Sequence, residues 1–130
     1  MVIPDSTRLP HFFTSIKQHG ALIAKGWLLG LQFDELFKDE LYLHIGEKAN
    51  TYAREIKAAL KDVGLPLFGD YPTNQVFFVI SHEKMEQLKK QAQYAYMERY
   101  DENSSVIRFC TSWSTREEDV KKCCEIIREL

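Results

Sequence analysis

Six side chains, Ile45, Ala49, Tyr52, Ile56, Ala59 and Val63, advance by steps of four, three, four, three and four. That spacing follows the helical repeat of about 3.6 residues and commits the segment to a helix with one buried face. Gly64 and Pro66 come next, in the order that ends a helix. Asp39 stands where a side-chain cap of its start belongs. The other side carries Glu47, Lys48, Arg54, Glu55, Lys57 and Lys61, which predicts a solvated face. A helix of this kind needs a partner layer to cover its apolar stripe.

The sequence after Gly64 offers strands for that layer. Gln75-Val-Phe-Phe-Val-Ile80 reads as a buried strand, and Ser81 can cap a helix over His82 to Gln91. Tyr94 and Tyr96 alternate within Tyr94–Tyr100 and favour a second strand there. Asp101-Glu-Asn-Ser-Ser105 is a turn. Val106 to Thr111 reads as a third strand. Ser114-Thr115-Arg116-Glu117 then has the capping-box spacing, opening a helix over Arg116 to Glu129. Val120, Cys123, Ile127 and Leu130 form its inner face.

Before the stripe, Pro4 and Pro10 predict an extended arm over residues 1–12. A long helix over Phe13 to Phe37 follows, with Ile16, Ile23, Trp27, Leu28, Leu31 and Leu36 among its apolar positions. It contains Gly20, Gly26 and Gly30. Each glycine inside a helix costs roughly 1 kcal/mol against alanine, so either another surface approaches closely or the helix is broken. The order is α-α-β-α-β-β-α. The expected fold is α+β: a small, mainly antiparallel sheet covered by helices, preceded by a long N-terminal helix. Residues 13–130 then form one domain.

Composition narrows function by exclusion. A net charge of -2 offers no electrostatic case for nucleic acid or anionic membrane as a partner. No apolar run reaches the roughly 20 residues of a membrane span, and the start lacks the pattern of a signal peptide. Cys110, Cys123 and Cys124 have neither metal-ligand spacing nor the even count of a disulfide framework. Core thiols in a reducing cytoplasm are the default expectation. His11, His19, His44 and His82 are scattered, so no metal site is expected. There is no Gly-x-Ser-x-Gly elbow and no glycine-rich phosphate loop.

Arg108 stands out. It lies among apolar neighbours in the third strand, where a guanidinium is costly unless it meets a carboxylate, a phosphate or open water. Two readings follow: Arg108 lies on a solvated face of the sheet, or it receives an anion.

A resemblance favours the second. Ile16-Lys-Gln-His-Gly-Ala-Leu-Ile-Ala-Lys-Gly-Trp-Leu-Leu-Gly-Leu-Gln-Phe33 resembles the segment that follows the cofactor lysine in threonine aldolases. These belong to the β-eliminating lyase/threonine aldolase group of fold-type I pyridoxal-phosphate enzymes. Phe37-Lys-Asp-Glu-Leu-Tyr42, Pro72-Thr-Asn-Gln75 and Ile107-Arg-Phe-Cys-Thr-Ser-Trp113 match in the same order. Four ordered segments spread over nearly the whole chain are specific where any one alone is weak.

The resemblance implies a lyase that splits β-hydroxy amino acids such as threonine into glycine and an aldehyde, using pyridoxal 5'-phosphate. It implies that Arg108 binds the substrate α-carboxylate and that Lys17 lies close to the cofactor phosphate, reaching it from a neighbouring subunit of a homo-oligomer. A solvated helix-start lysine is the plain alternative for Lys17. Gly20, Gly26 and Gly30 would mark close packing at a domain or subunit junction. Asn74 and Gln75 match the family string but suit an ordinary end-of-strand turn equally well. Trp113 would pack beside the arginine strand. None of the lysines has the Ser/Thr-Gly-Thr-Lys-like context of the attachment residue, so the chain resembles the C-terminal piece of such an enzyme, inactive alone and partnered by its own N-terminal cofactor domain. A β-eliminating lyase or aminotransferase on the same scaffold, or a non-catalytic α+β interaction domain, are the alternatives.

Overall fold

A computed structural model describes residues 5–130. The chain divides after Leu41 into two compact units, Met1–Leu41 and Tyr42–Leu130. In the first, a 3₁₀ turn at Ser6–Arg8 is capped by Asp5, whose side chain accepts the Thr7 N–H at 3.0 Å. The expected arm therefore holds a turn, and its residues 1–4 lie outside the described ones.

The single long helix expected over Phe13 to Phe37 is two helices, α1 (Phe12–Gln18) and α2 (Trp27–Phe37). Gly20 is the reason. It adopts the left-handed conformation with φ 64°, its N–H reaches the Lys17 carbonyl at 3.0 Å, and the Ala21 N–H reaches Ile16 at 2.9 Å. That pair of bonds is the glycine-terminated helix stop, and it satisfies carbonyls that the end of α1 would otherwise leave bare. Among the described residues, no atom beyond their own neighbours and helix backbone lies within 4 Å of where a Cβ of Gly20 or Gly30 would stand. No residue of α2 is buried. Phe13, Trp27, Leu31, Phe33 and Phe37 are each more than half exposed.

The second unit holds the layer that the apolar stripe requires. Helix α3 (Leu41–Asp62) begins one residue later than a cap at Asp39 would set. Asp39 does not cap it: Asp39 and Glu40 both take positive φ between α2 and α3. Three strands follow, β1 (Gln75–Ser81), β2 (Ala95–Arg99) and β3 (Ser104–Cys110), with helix α4 (His82–Leu88) between the first two and α5 (Glu117–Arg128) after the last. The sheet is antiparallel with order β1-β3-β2. This is the α+β layer read from the sequence. Beyond the outer side of β1, residues 66–68 add a short pairing, with Phe68 N–H on the Phe77 carbonyl and Val79 N–H on Pro66, both at 2.9 Å.

Alternation along β1 decides which side is core. Val76, Phe78 and Ile80 are buried, while Gln75, Phe77 and Val79 are half-buried. The core joins these with Ile107 and Phe109 of β3, Ala53, Ile56, Ala59 and Leu60 of α3, and Val120, Cys124 and Ile127 of α5. Phe78 and Phe109 are its aromatic centre, with ring centroids 5.4 Å apart. Ser81 caps α4 by accepting the Lys84 N–H. The capping box expected at the start of α5 does not form. Arg116 occupies the cap position, and the Thr115 hydroxyl instead accepts the Ser112 N–H at 2.8 Å.

Candidate functional site

Arg108 sits mid-strand on β3, on the face turned away from the core. Its register partners are Phe77 on β1 and Ala95 on β2. The guanidinium carbon lies 5.8 Å from the centre of the Phe77 ring, within the range of a cation–π contact. Nη1 donates to Gln75 Oε1 at 2.8 Å. Nε is buried and has no hydrogen-bond partner among the described residues. An unpaired buried donor costs about 1–3 kcal/mol. The side chain is therefore neither freely solvated nor satisfied within the chain. Gln75 takes Nη1, and Nε is left beneath the surface without an acceptor.

The segment before β1 forms the border of this face. Asn74 is locked to the end of β3: its Nδ2 donates to the Thr111 carbonyl at 2.6 Å, and Thr111 N–H donates to the Asn74 carbonyl at 3.1 Å. Thr111 is buried, with its hydroxyl donating to the Ala49 carbonyl of α3 at 2.7 Å. Asn74 and Gln75 thus do more than close a turn; one fixes the strand ends and the other holds the arginine. Cys110 shares the Arg108 face and is exposed.

Lys57 corrects the reading of α3. It was placed on the solvated side, yet it is buried, with Nζ donating to Asp70 Oδ1 at 3.0 Å and to the Tyr71 carbonyl. Lys61 reaches the other oxygen of Asp70 at 3.1 Å. The Lys57 and Lys61 ammonium groups together hold the Asp70 carboxyl below its ordinary range. Lys57 falls one turn from Ala53 and Lys61 on the helix, at the margin of the stripe, so spacing alone gave no warning.

Two open clefts flank this region. One, of about 650 Å³, is lined by Tyr42, Leu43, Gly46, Asn50, Asn74 and Trp113 among others. The other, of about 530 Å³, is lined by Arg54, Lys57, Lys61, Asp70 and Thr73. Trp113 was expected to pack beside the arginine strand; its side chain is two-thirds exposed at 67% and lines the first cleft. Arg108 borders neither.

Lys17 lies in the last turn of α1, exposed, with Nζ 5.0 Å from the centre of the Phe13 ring. It lies in the first unit and Arg108 in the second. Among the described residues no group of three His, Cys, Asp or Glu side chains could hold a metal, and no helix is long and apolar enough to cross a membrane.

No protein-family model matches the sequence, and no curated protein does. A solved structure does: a threonine aldolase from Leishmania major superposes with a TM-score of 0.86 at 34% sequence identity. The match covers 93% of this chain and 35% of that one. The chain folds as a threonine aldolase-like C-terminal domain. The domain spans about a third of the length of the Leishmania enzyme, at the 35% just given. Its described residues do not by themselves suit a pyridoxal ring and phosphate: Lys57 and Lys61 are engaged by Asp70, and Lys17 stands over Phe13 on an exposed turn.

Proposed function

We propose that this chain supplies the substrate-carboxylate arginine, Arg108, of a pyridoxal-phosphate-dependent lyase that cleaves β-hydroxy amino acids such as threonine to glycine and an aldehyde. One observation carries the reading: the Arg108 guanidinium is anchored by Gln75 through Nη1 while its buried Nε has no partner. A planar ligand with two acceptor oxygens is the partner a guanidinium fork takes, and its approach would have to uncover Nε. Two parallel hydrogen bonds fix the plane of a carboxylate and so the rotation about its bond to Cα. The direction of the Cα–Cβ bond follows from that rotation. The likeness to the Leishmania threonine aldolase supports the substrate class.

In this reading the cofactor is held by residues outside the chain, in an N-terminal cofactor domain, and the attachment lysine lies there. Lys17 contributes to the phosphate from a neighbouring subunit, which requires its exposed ammonium to leave the Phe13 ring. The exposed aromatic residues of the first unit are the surface through which a homo-oligomer or the cofactor domain is met. Three free cysteines suit a reducing cytoplasm.

The division of labour has a direct test. The chain alone, titrated with pyridoxal phosphate and followed by absorbance, then trapped with borohydride and mapped by peptide, should show only scattered substoichiometric labelling and no threonine cleavage. One lysine trapped at full stoichiometry would overturn it.

A further inference from the structure

A buried lysine on the far side of the β1 edge bears on how Arg108 is held. The Lys57 side chain is 10% exposed. A methionine there would fill the same space on α3 without taking a charge out of water, and an ion pair to a carboxylate that is 58% exposed is weak ground for stability. What only the ammonium can do is grip two groups at once, the Asp70 carboxylate and the Tyr71 carbonyl.

Those two residues lead to the arginine. The Tyr71 ring meets Phe77 edge to face, with centroids 6.0 Å apart and planes at 79°. The ring also lies over Gly69, where an added Cβ would stand 2.6 Å from a Tyr71 carbon, so only glycine leaves room for it. Phe77 in turn carries the Arg108 guanidinium on its ring. Four residues past Tyr71, Gln75 takes Arg108 Nη1. Residues 70–75 are therefore gripped at one end by Lys57 and at the other by the Asn74–Thr111 pair. Between these grips the segment sets both the ring stack beneath the guanidinium and the amide beside it.

We infer that Lys57 is a positioning residue for the carboxylate site: through Tyr71 and Phe77 it fixes the plane of the Arg108 fork. This rests on the proposed role of Arg108. Losing the grip leaves the arginine its charge but frees its orientation, so the carboxylate binds less tightly and the bound substrate is aligned less well.

The test uses the protein that carries this chain together with its cofactor, with L-threonine as the probe. Lys57→Met should raise KM about tenfold, the scale of one hydrogen bond to a charged group, and lower kcat as well, with cofactor content unchanged. Amide exchange over residues 71–75 should quicken. An unchanged KM, whatever the thermal midpoint does, overturns the inference. If Lys57→Met does not fold, Asp70→Asn serves: it removes the carboxylate from an exposed position and should raise KM in the same direction, and an unchanged KM again overturns it. Arg108→Lys measured alongside separates the two claims. If Arg108→Lys raises KM and the Lys57 and Asp70 variants do not, only the positioning role fails. If Arg108→Lys leaves KM unchanged, the carboxylate reading itself fails and takes this inference with it.

Discussion

Gln75 Oε1 accepts Arg108 Nη1 at 2.8 Å diagonally across the β1–β3 pair, since Gln75 stands opposite Cys110 and Arg108 opposite Phe77. A neutral amide at this position orients the guanidinium without neutralising it. Gln75→Glu should therefore pair with Arg108 as an internal carboxylate and compete with substrate. KM for threonine should rise about tenfold, and the added ion pair should leave the thermal midpoint unchanged or higher. Steady-state kinetics with a melting curve check both, and an unaltered KM would mean that Gln75 does not face the substrate.

The thiols should separate by position. Cys110 is exposed beside Arg108, whereas burial pushes the Cys123 thiol up to about 11, with the neighbouring Cys124 adding to the shift. Alkylation at pH 8 with mass mapping should modify Cys110 first and leave Cys123 almost untouched. The fold favours the protonated form of Cys123, so that contribution is complete below the ordinary value of 9.0 and fades as pH rises towards about 11. Equal labelling rates would contradict the burial of α5 against the core.

The grip on Asp70 carries a pH signature of the opposite sign. Lys57 and Lys61 lower its carboxyl from the ordinary 3.8. The folded state thus favours the ionised form, and the contribution is present above about pH 4 and lost as pH falls through the lowered value. Amide exchange over residues 70–75 should quicken on acidification below pH 4 in the natural sequence. In Asp70→Asn the protection should already be reduced and insensitive to pH in this range.

Much of the architecture was legible because the signals were local. The stripe from Ile45 to Val63 pointed to α3, the apolar run within Gln75–Ile80 to β1, and Ser81 to the cap of α4. Tyr94 and Tyr96 pointed to β2. The signal at Gly20 was equally local and was outweighed by apolar periodicity on either side, so one long helix was expected where a glycine stop divides two. At α5 the Ser-x-x-Glu spacing misled, because Arg116 makes its own pair of bonds to Asp119 at 2.8 and 2.9 Å and the cap shifts. Arg108 was visible as a charge out of place. Its supports were not: Lys57 meets Asp70 thirteen residues away and Gln75 meets Arg108 thirty-three away. Those pairings exist only after the sheet and α3 have packed.

The first unit should drive association. Phe13, Trp27, Leu31, Phe33 and Phe37 are exposed at 57–66%, and clustered exposed apolar side chains favour association. Sedimentation of the chain across a concentration series should reveal reversible self-association, weakened in Trp27→Ser with Phe33→Ser. A clean monomer at high concentration would show that this surface is covered from within.

The central claim is that Arg108 serves a substrate carboxylate rather than the fold. Its most direct measurement is kcat/KM for threonine in Arg108→Lys, taken with cofactor occupancy and thermal midpoint. Lysine keeps the charge and loses the fork. The account predicts a fall of about one to two orders of magnitude, the worth of a lost hydrogen bond to a charged group, with cofactor content and midpoint close to those of the natural sequence. A fall in activity only in proportion to lost folded protein would contradict it and leave Arg108 a structural residue of β3.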